Sequence, residues 1–297
     1  MSTNIRLSTK LIGLPPEQKG WAGYAIFAGR LFAIYLIGFA LLFAGQRYFI
    51  YRNGGERLIP SERYVSEMVE KTVPSDGVDV VVWSYDAGPE KPILIYFHGN
   101  AGVLGHRSGR FRWMIDQGWG VVGVGLRGGS GTGGSPSEKG HAADARNVYD
   151  ALPELLGRAV EPESLALFGE SLGTGIAVTL ASERDVGGVI LETPYAAIED
   201  LAQERFGFYP IKALGAVRDP FRSIDRVGQI GAPLLVIHGT EDRVIPFHHA
   251  QRLFDAASNP KWHKWFEGGQ HHDLWRRGAT GSIAEFMQRY FQNPISE

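Results

Sequence analysis

Four short stretches of the chain put reactive residue types on glycine-rich turns at the ends of apolar runs. The first is Gly169-Glu170-Ser171-Leu172-Gly173, which follows LALF and precedes the helix-compatible LGTGIAVTLA. A serine on so tight a strand-to-helix turn has its hydroxyl pushed into solvent, and the amides that open the helix point at any negative charge beside it. In a chain with 39 glycines among 297 residues the pentapeptide alone is weak, and the strand–turn–helix context gives it weight. The second stretch, Leu235 to Pro246 (LVIHGTEDRVIP), sets Asp242 a few residues past a strand end. The third, Glu267-Gly-Gly-Gln-His271-His272-Asp273, presents histidine after a glycine turn. The fourth, Ile95 to Gly102 (IYFHGNAG), ends a strand in His98-Gly99-Asn100.

Taken singly, each has a plain alternative. Asp242 reads equally as a turn or helix-cap residue, and a lone loop histidine is usually a surface group. Their order changes the reading: serine, acid and histidine each follow a strand, in that sequence. Ser171 is then the nucleophile toward an acyl carbonyl, His271 its general base and Asp242 the group that orients the imidazole. The adjacent His272 leaves the base open by one position. A tetrahedral oxyanion needs two amide donors, assigned here to the N–H groups of Leu172 and Asn100. His98 is read as holding its own loop. No metal and no cofactor are expected.

These stretches must be carried by a scaffold that brings strand ends together. From about Arg57 onward short β-branched runs alternate with amphipathic segments, the pattern of an α/β fold with a mostly parallel sheet and helices on both faces. Strands are expected near 78–85, 93–97, 121–126, 165–168, 189–192, 234–238 and 264–266, and helices over 107–117, 141–156, 172–182, 247–256 and 282–291. The aromatic, proline- and glycine-punctuated segment 194–230 is expected to form a small cap-like insert near the site. Arg218, Arg222 and Arg226, four apart, would line one face of a helix as a solvated or headgroup-contacting stripe. His248 and His249 open a helix, where adjacent side chains point apart, so a shared metal is not expected.

Composition bounds the partners. With no cysteine the chain has no disulfide, thiolate metal site or cysteine nucleophile, and a net charge of −2 without a basic block argues against nucleic acid. The N-terminus departs from the rest: Trp21 to Gly45 is apolar apart from Arg30, long enough to cross a bilayer if that arginine snorkels. A cleaved signal peptide and a docked helix are the alternatives; the polar lead of about 20 residues and the lack of a small-residue cleavage site favour an uncleaved single-pass anchor. The expected organisation is a tail over 1–20, an anchor over 21–51 and a catalytic domain over 52–297. Arg6, Lys10 and Lys19 balance Arg47, Arg52 and Arg57, so no side of the membrane is assigned.

Seven stretches resemble the α/β-hydrolase superfamily, and within it the membrane-anchored alpha/beta hydrolase domain-containing branch: YFHGNAG (96–102), LRGGSGTGGSPSE (126–138), GESLGTGIA (169–177), TPYAAIEDLA (193–202), RDPFRSIDRV (218–227), HGTEDRVIP (238–246) and EGGQHHDL (267–274). The resemblance implies a triad of Ser171, Asp242 and His271, with oxyanion donors at Asn100 and Leu172. Histidine loops of that branch usually read Gly-x-Gly-His-Asn-Asp, so Gln270 and His272 depart from the pattern. Arg127-Gly128-Gly129-Ser130 stands where Arg-Gly-Tyr-Gly is usual. The substrates implied are acyl esters, thioesters and lipids, with acylated proteins among them. Acyl transfer or peptidase chemistry on the same fold is one alternative, and a non-catalytic membrane-anchored binding protein another.

Overall fold

The computed structural model describes residues 20–52, 54 and 57–292. The expected tail, with Arg6, Lys10 and Lys19, lies outside the described residues apart from Gly20. Eight strands form one sheet: β1 Val69–Ser75, β2 Val78–Tyr85, β3 Ile93–Phe97, β4 Gly120–Val124, β5 Leu165–Glu170, β6 Gly188–Glu192, β7 Leu234–Gly239 and β8 Lys261–Phe266. Their order is β1-β2-β4-β3-β5-β6-β7-β8. β2 pairs antiparallel with β1 and β4, and the remaining pairs are parallel. Strands β3, β5, β6 and β7 are buried along their whole length, which is why they read as unbroken apolar runs.

The helices are α1 Gly20–Ile50, α2 Ser108–Asp116, α3 Glu138–Asp150, α4 Leu152–Leu156, α5 Leu172–Ala181, α6 Ile198–Arg205, α7 Phe247–Ala256 and α8 Ala279–Met287. Alternate strand residues feed two cores. Val80, Val82, Ile95, Phe97 and Leu167 pack with Val148 of α3, Ile176 of α5 and Leu253 of α7. Val81, Trp83, Leu94, Tyr96 and Phe168 pack with Phe111 and Met114 of α2 and Ile283 of α8 on the other face.

Several expectations are corrected. The helix expected over 141–156 starts earlier, at Glu138, where the Ser137 hydroxyl accepts the Gly140 N–H, and it breaks before Pro153 into α3 and α4. The final helix begins at Ala279 and passes into a π-helical turn over Gln288–Gln292. β4 ends at Val124 rather than at 126. The insert between β6 and β7 holds α6, turns and two short 3-10 helices, Ser223–Asp225 and Val227–Gln229. Arg218, Arg222 and Arg226 therefore form no helical stripe: Pro220 interrupts the segment, Arg222 pairs with Glu199 and Asp225, and Arg226 pairs with Glu183.

The chain divides into two units, Met1–Gln46 and Arg47–Glu297, with the sheet wholly in the second. Among the described residues one helix, α1, is long and apolar enough to cross a membrane. Its 31 residues span about 46 Å, and Trp21, Ile26, Phe32, Ile37 and Leu41 are exposed along it.

The tightest packing lies between α5 and β3. A Cβ at Gly173 would stand 2.0 Å from the Phe97 carbonyl oxygen. Gly173→Ala is therefore expected to lower unfolding free energy by about 3 kcal/mol, read by thermal or denaturant melts. Gly109→Ala on α2, where a Cβ meets nothing within 4 Å, should leave the melt unchanged or raised.

Candidate active site

Ser171 occupies the turn between β5 and α5 with φ 50° and ψ −114°, a conformation rare for a residue with a side chain. The flanking glycines make it feasible. A Cβ at Gly169 would meet the Thr174 backbone at 2.6 Å, and Gly173 leaves no room against β3. The Ser171 N–H is bound by the Glu192 carbonyl at 2.9 Å, fixing the turn to the end of β6.

The loops after β7 and β8 are held to each other. Glu241 N–H donates to the Gly269 carbonyl, Gly268 N–H donates to Thr240 Oγ1, and a Cβ at Gly239 would stand 2.2 Å from the Gly269 oxygen. Glycine at 239 thus permits a backbone approach that any side chain would prevent. The Asp242 carboxylate accepts the N–H groups of Val244 and Ile245 on Oδ1, leaving Oδ2 for His271 Nδ1 at 2.7 Å. His271 Nε2 stands 3.0 Å from Ser171 Oγ. The structure thus brings Ser171, His271 and Asp242 into one hydrogen-bonded line. His272, the alternative at the sequence level, turns outward with its ring edge against His271, 4.7 Å between centroids.

Of the two residues expected to bind an oxyanion, Leu172 follows Ser171 in the chain and Asn100 follows Gly99. A Cβ on Gly99 would be 3.3 Å from Ser171 Cβ, so the loop that continues into Asn100 packs against Ser171 at Gly99. His98 is buried and supports this loop: Nδ1–H donates to the Gly99 carbonyl at 2.8 Å, and Nε2 faces the Leu126 N–H and the Ser130 hydroxyl, each at 3.4 Å.

A family model described as serine aminopeptidase, S33, matches residues 88–219. An uncharacterized protein of Mycobacterium tuberculosis is 33% identical over 201 residues, 67% of this chain and 70% of that protein. The lysophosphatidylserine lipase ABHD12 of Danio rerio is 32% identical over 188 residues, 57% of this chain and 48% of the lipase. Among solved structures, the Pyrococcus furiosus esterase Pf2001 superposes with a TM-score of 0.63 at 16% identity, covering 80% of this chain and 97% of the esterase. The chain belongs to the α/β-hydrolase superfamily.

Three features of this hydrolase domain extend or correct the sequence reading. Glu170, the residue before Ser171, is buried and accepts from Tyr96 Oη at 2.6 Å and from Arg107 at 2.8 and 2.9 Å. Burial opposes its charge, but Arg110 and Arg107 overcome this and hold the carboxyl well below its usual range. Arg110 pairs in turn with Glu192 and lies 4.5 Å over the Trp275 ring, whose Nε1–H also donates to Glu192. Arg107, just before α2, and Arg110 on α2 thus connect the ends of β5 and β6 to the histidine loop. Arg127 is a second buried anchor, paired with Asp144 of α3 at 2.5 and 3.0 Å.

His248 and His249 are the third feature. Contrary to the expectation that they point apart, both Nε2 atoms meet the Glu204 carboxylate, at 2.9 and 3.2 Å, with the rings 33° apart. His249 Nδ1 accepts the Ala196 N–H, which leaves its Nε2 protonated toward Glu204. The arrangement is a clamp of α7 onto α6, supported by Arg252 and Lys212 on Asp200. The insert also reaches the Ser171 turn directly, since Tyr195 Oη donates to the Leu172 carbonyl at 3.1 Å.

Burial lowers the pKa of three histidines to about 4: His98, His238 beside Asp242, and His141 on α3. The unfolded chain takes up protons near pH 6.5 and the folded chain only near 4, so each contributes stability that is full above about 6.5 and lost as pH falls between those values. Asp242 behaves differently: burial raises its pKa, but the His271 hydrogen bond and charge lower it more, so its contribution is lost only in stronger acid. The melting temperature is therefore expected to fall steadily from pH 6.5 to 4. In His141→Leu, which removes a ring with neither nitrogen hydrogen-bonded, that slope should be shallower.

Proposed function

We propose that this protein is a membrane-anchored serine hydrolase that cleaves acyl esters or thioesters, with lipid-like substrates favoured. The observation that carries the reading is the contact series Ser171 Oγ to His271 Nε2 at 3.0 Å and His271 Nδ1 to Asp242 Oδ2 at 2.7 Å. In this mechanism His271 takes the Ser171 proton as Oγ attacks the acyl carbonyl, and Asp242 keeps Nδ1 protonated and stabilises the imidazolium. The N–H groups of Leu172 and Asn100 bind the oxyanion. His271 then protonates the leaving alcohol or thiol, and water, activated by the same imidazole, releases the acid from the acyl-enzyme.

The lipid preference rests on two supports. One relative carries the name lysophosphatidylserine lipase, and this chain spans about half of that protein's length. The other is α1, whose exposed apolar side chains suit a bilayer and would keep the domain beside lipid.

A fluorophosphonate probe and a series of p-nitrophenyl esters of increasing chain length test the reading on the detergent-solubilised full chain. Ser171→Ala should abolish labelling and lower turnover by about 10⁴-fold or more without changing the melt. His271→Ala should do nearly the same, whereas His272→Ala should label like wild type. Turnover that survives Ser171→Ala, or that is lost only with His272→Ala, overturns the assignment.

A further inference from the structure

The loop that carries Asn100 is held from an unexpected quarter. Arg52, two residues beyond the end of α1, donates its main-chain N–H to Asn100 Oδ1 at 3.2 Å and forms an isolated parallel bridge with Ala101. The residues just before it are pinned as well. Tyr51 is buried, its ring 5.4 Å from that of His141 and 6.4 Å from that of Phe221. Arg47 Nε donates to Asp219 Oδ2 at 2.8 Å, and Asp219 also accepts the Glu138 N–H. Segment 47–52 is therefore fixed by a charge pair, a core aromatic and a backbone bridge, the last of these falling on the loop that packs against Ser171.

We infer that Arg52 is a positioning residue for the oxyanion site: its main-chain N–H, acting through the Asn100 side chain, orients the Asn100 amide toward the reacting carbonyl. The inference rests on the serine-hydrolase reading above. Physically, a loop amide stabilises a developing oxyanion only if it is aimed before the charge appears. Asn100 is half-buried and Ala101 exposed, so packing alone constrains the tip of this loop weakly. The Arg52 bridge supplies a fixed point immediately after Gly99. The Arg52 side chain takes no part; the donor is the peptide N–H, which every residue except proline provides.

That distinction makes the test sharp. Arg52→Ala keeps the N–H, Arg52→Pro removes it, and Asn100→Ala removes the acceptor while keeping the Asn100 amide. Measured on the full chain with a p-nitrophenyl ester, Arg52→Ala should match wild type. Arg52→Pro and Asn100→Ala should each lower kcat about tenfold with KM within about twofold, and the double variant should fall no further, because both changes delete the same bond. A merely structural role would lower the melting temperature without this kcat-only loss. Full kcat in Asn100→Ala, equal losses in Arg52→Ala and Arg52→Pro, or additive losses in the double variant would each overturn the inference. Wild-type turnover that does not depend on Ser171 would instead defeat the serine-hydrolase reading itself.

Discussion

The turn at Ser171 is the constraint around which the domain is arranged. It requires a left-handed backbone at a residue with a side chain, and it persists because neighbouring backbone closes on it from two sides. Gly173 lies against the Phe97 carbonyl, and Ser171 N–H is taken by the Glu192 carbonyl. β3, β5, β6 and the start of α5 are thereby fixed to one point. The Asp242 and His271 loops then need only to converge on it, and the backbone contact of Gly239 with Gly269 makes them arrive as a pair.

Around this point the polar groups are arranged so that no charge is stranded. Two buried carboxylates at strand ends, Glu170 and Glu192, are met by Arg107 just before α2 and by Arg110 on α2, and Trp275 extends the set to the histidine loop. Such buried pairs add little net stability, but removal of one member leaves the other uncompensated in the interior. Their effect is to make one arrangement of the strand ends far better than its neighbours. The hydrogen-bonded line of Ser171, His271 and Asp242, as the proposed reading uses it, needs that selectivity more than it needs additional stability.

Much of this was readable from residue types. Serine, aspartate and histidine announce their chemistry, and glycines beside them mark the turns, so Ser171, Asp242 and His271 stand out from residue type and spacing alone. The choice of His271 over His272 did not, because adjacent loop residues differ only in direction. β1 escaped notice since Glu70, Lys71 and Pro74 interrupt its alternation at an edge where one side faces solvent. Arg218 to Arg226 misled through a helical spacing in a segment that Pro220 keeps from being a helix. The histidine pair on Glu204 was invisible because its partner lies more than 40 residues away. The Arg52 contact is the extreme case, since a peptide N–H is common to almost every residue and leaves no mark in a sequence.

The order of the strands has a consequence for synthesis. β8 is both an edge of the sheet and its last strand in chain order among the described residues, and the histidine loop follows it. Domains form from the N-terminus as the ribosome proceeds, so α1 is made before the sheet. On the proposed reading, Ser171 is therefore in the nascent chain well before His271 exists, and it stays an ordinary alcohol while the segments that surround it are being completed. A hydrolase assembled in this order would acquire its anchor early in synthesis and be armed late.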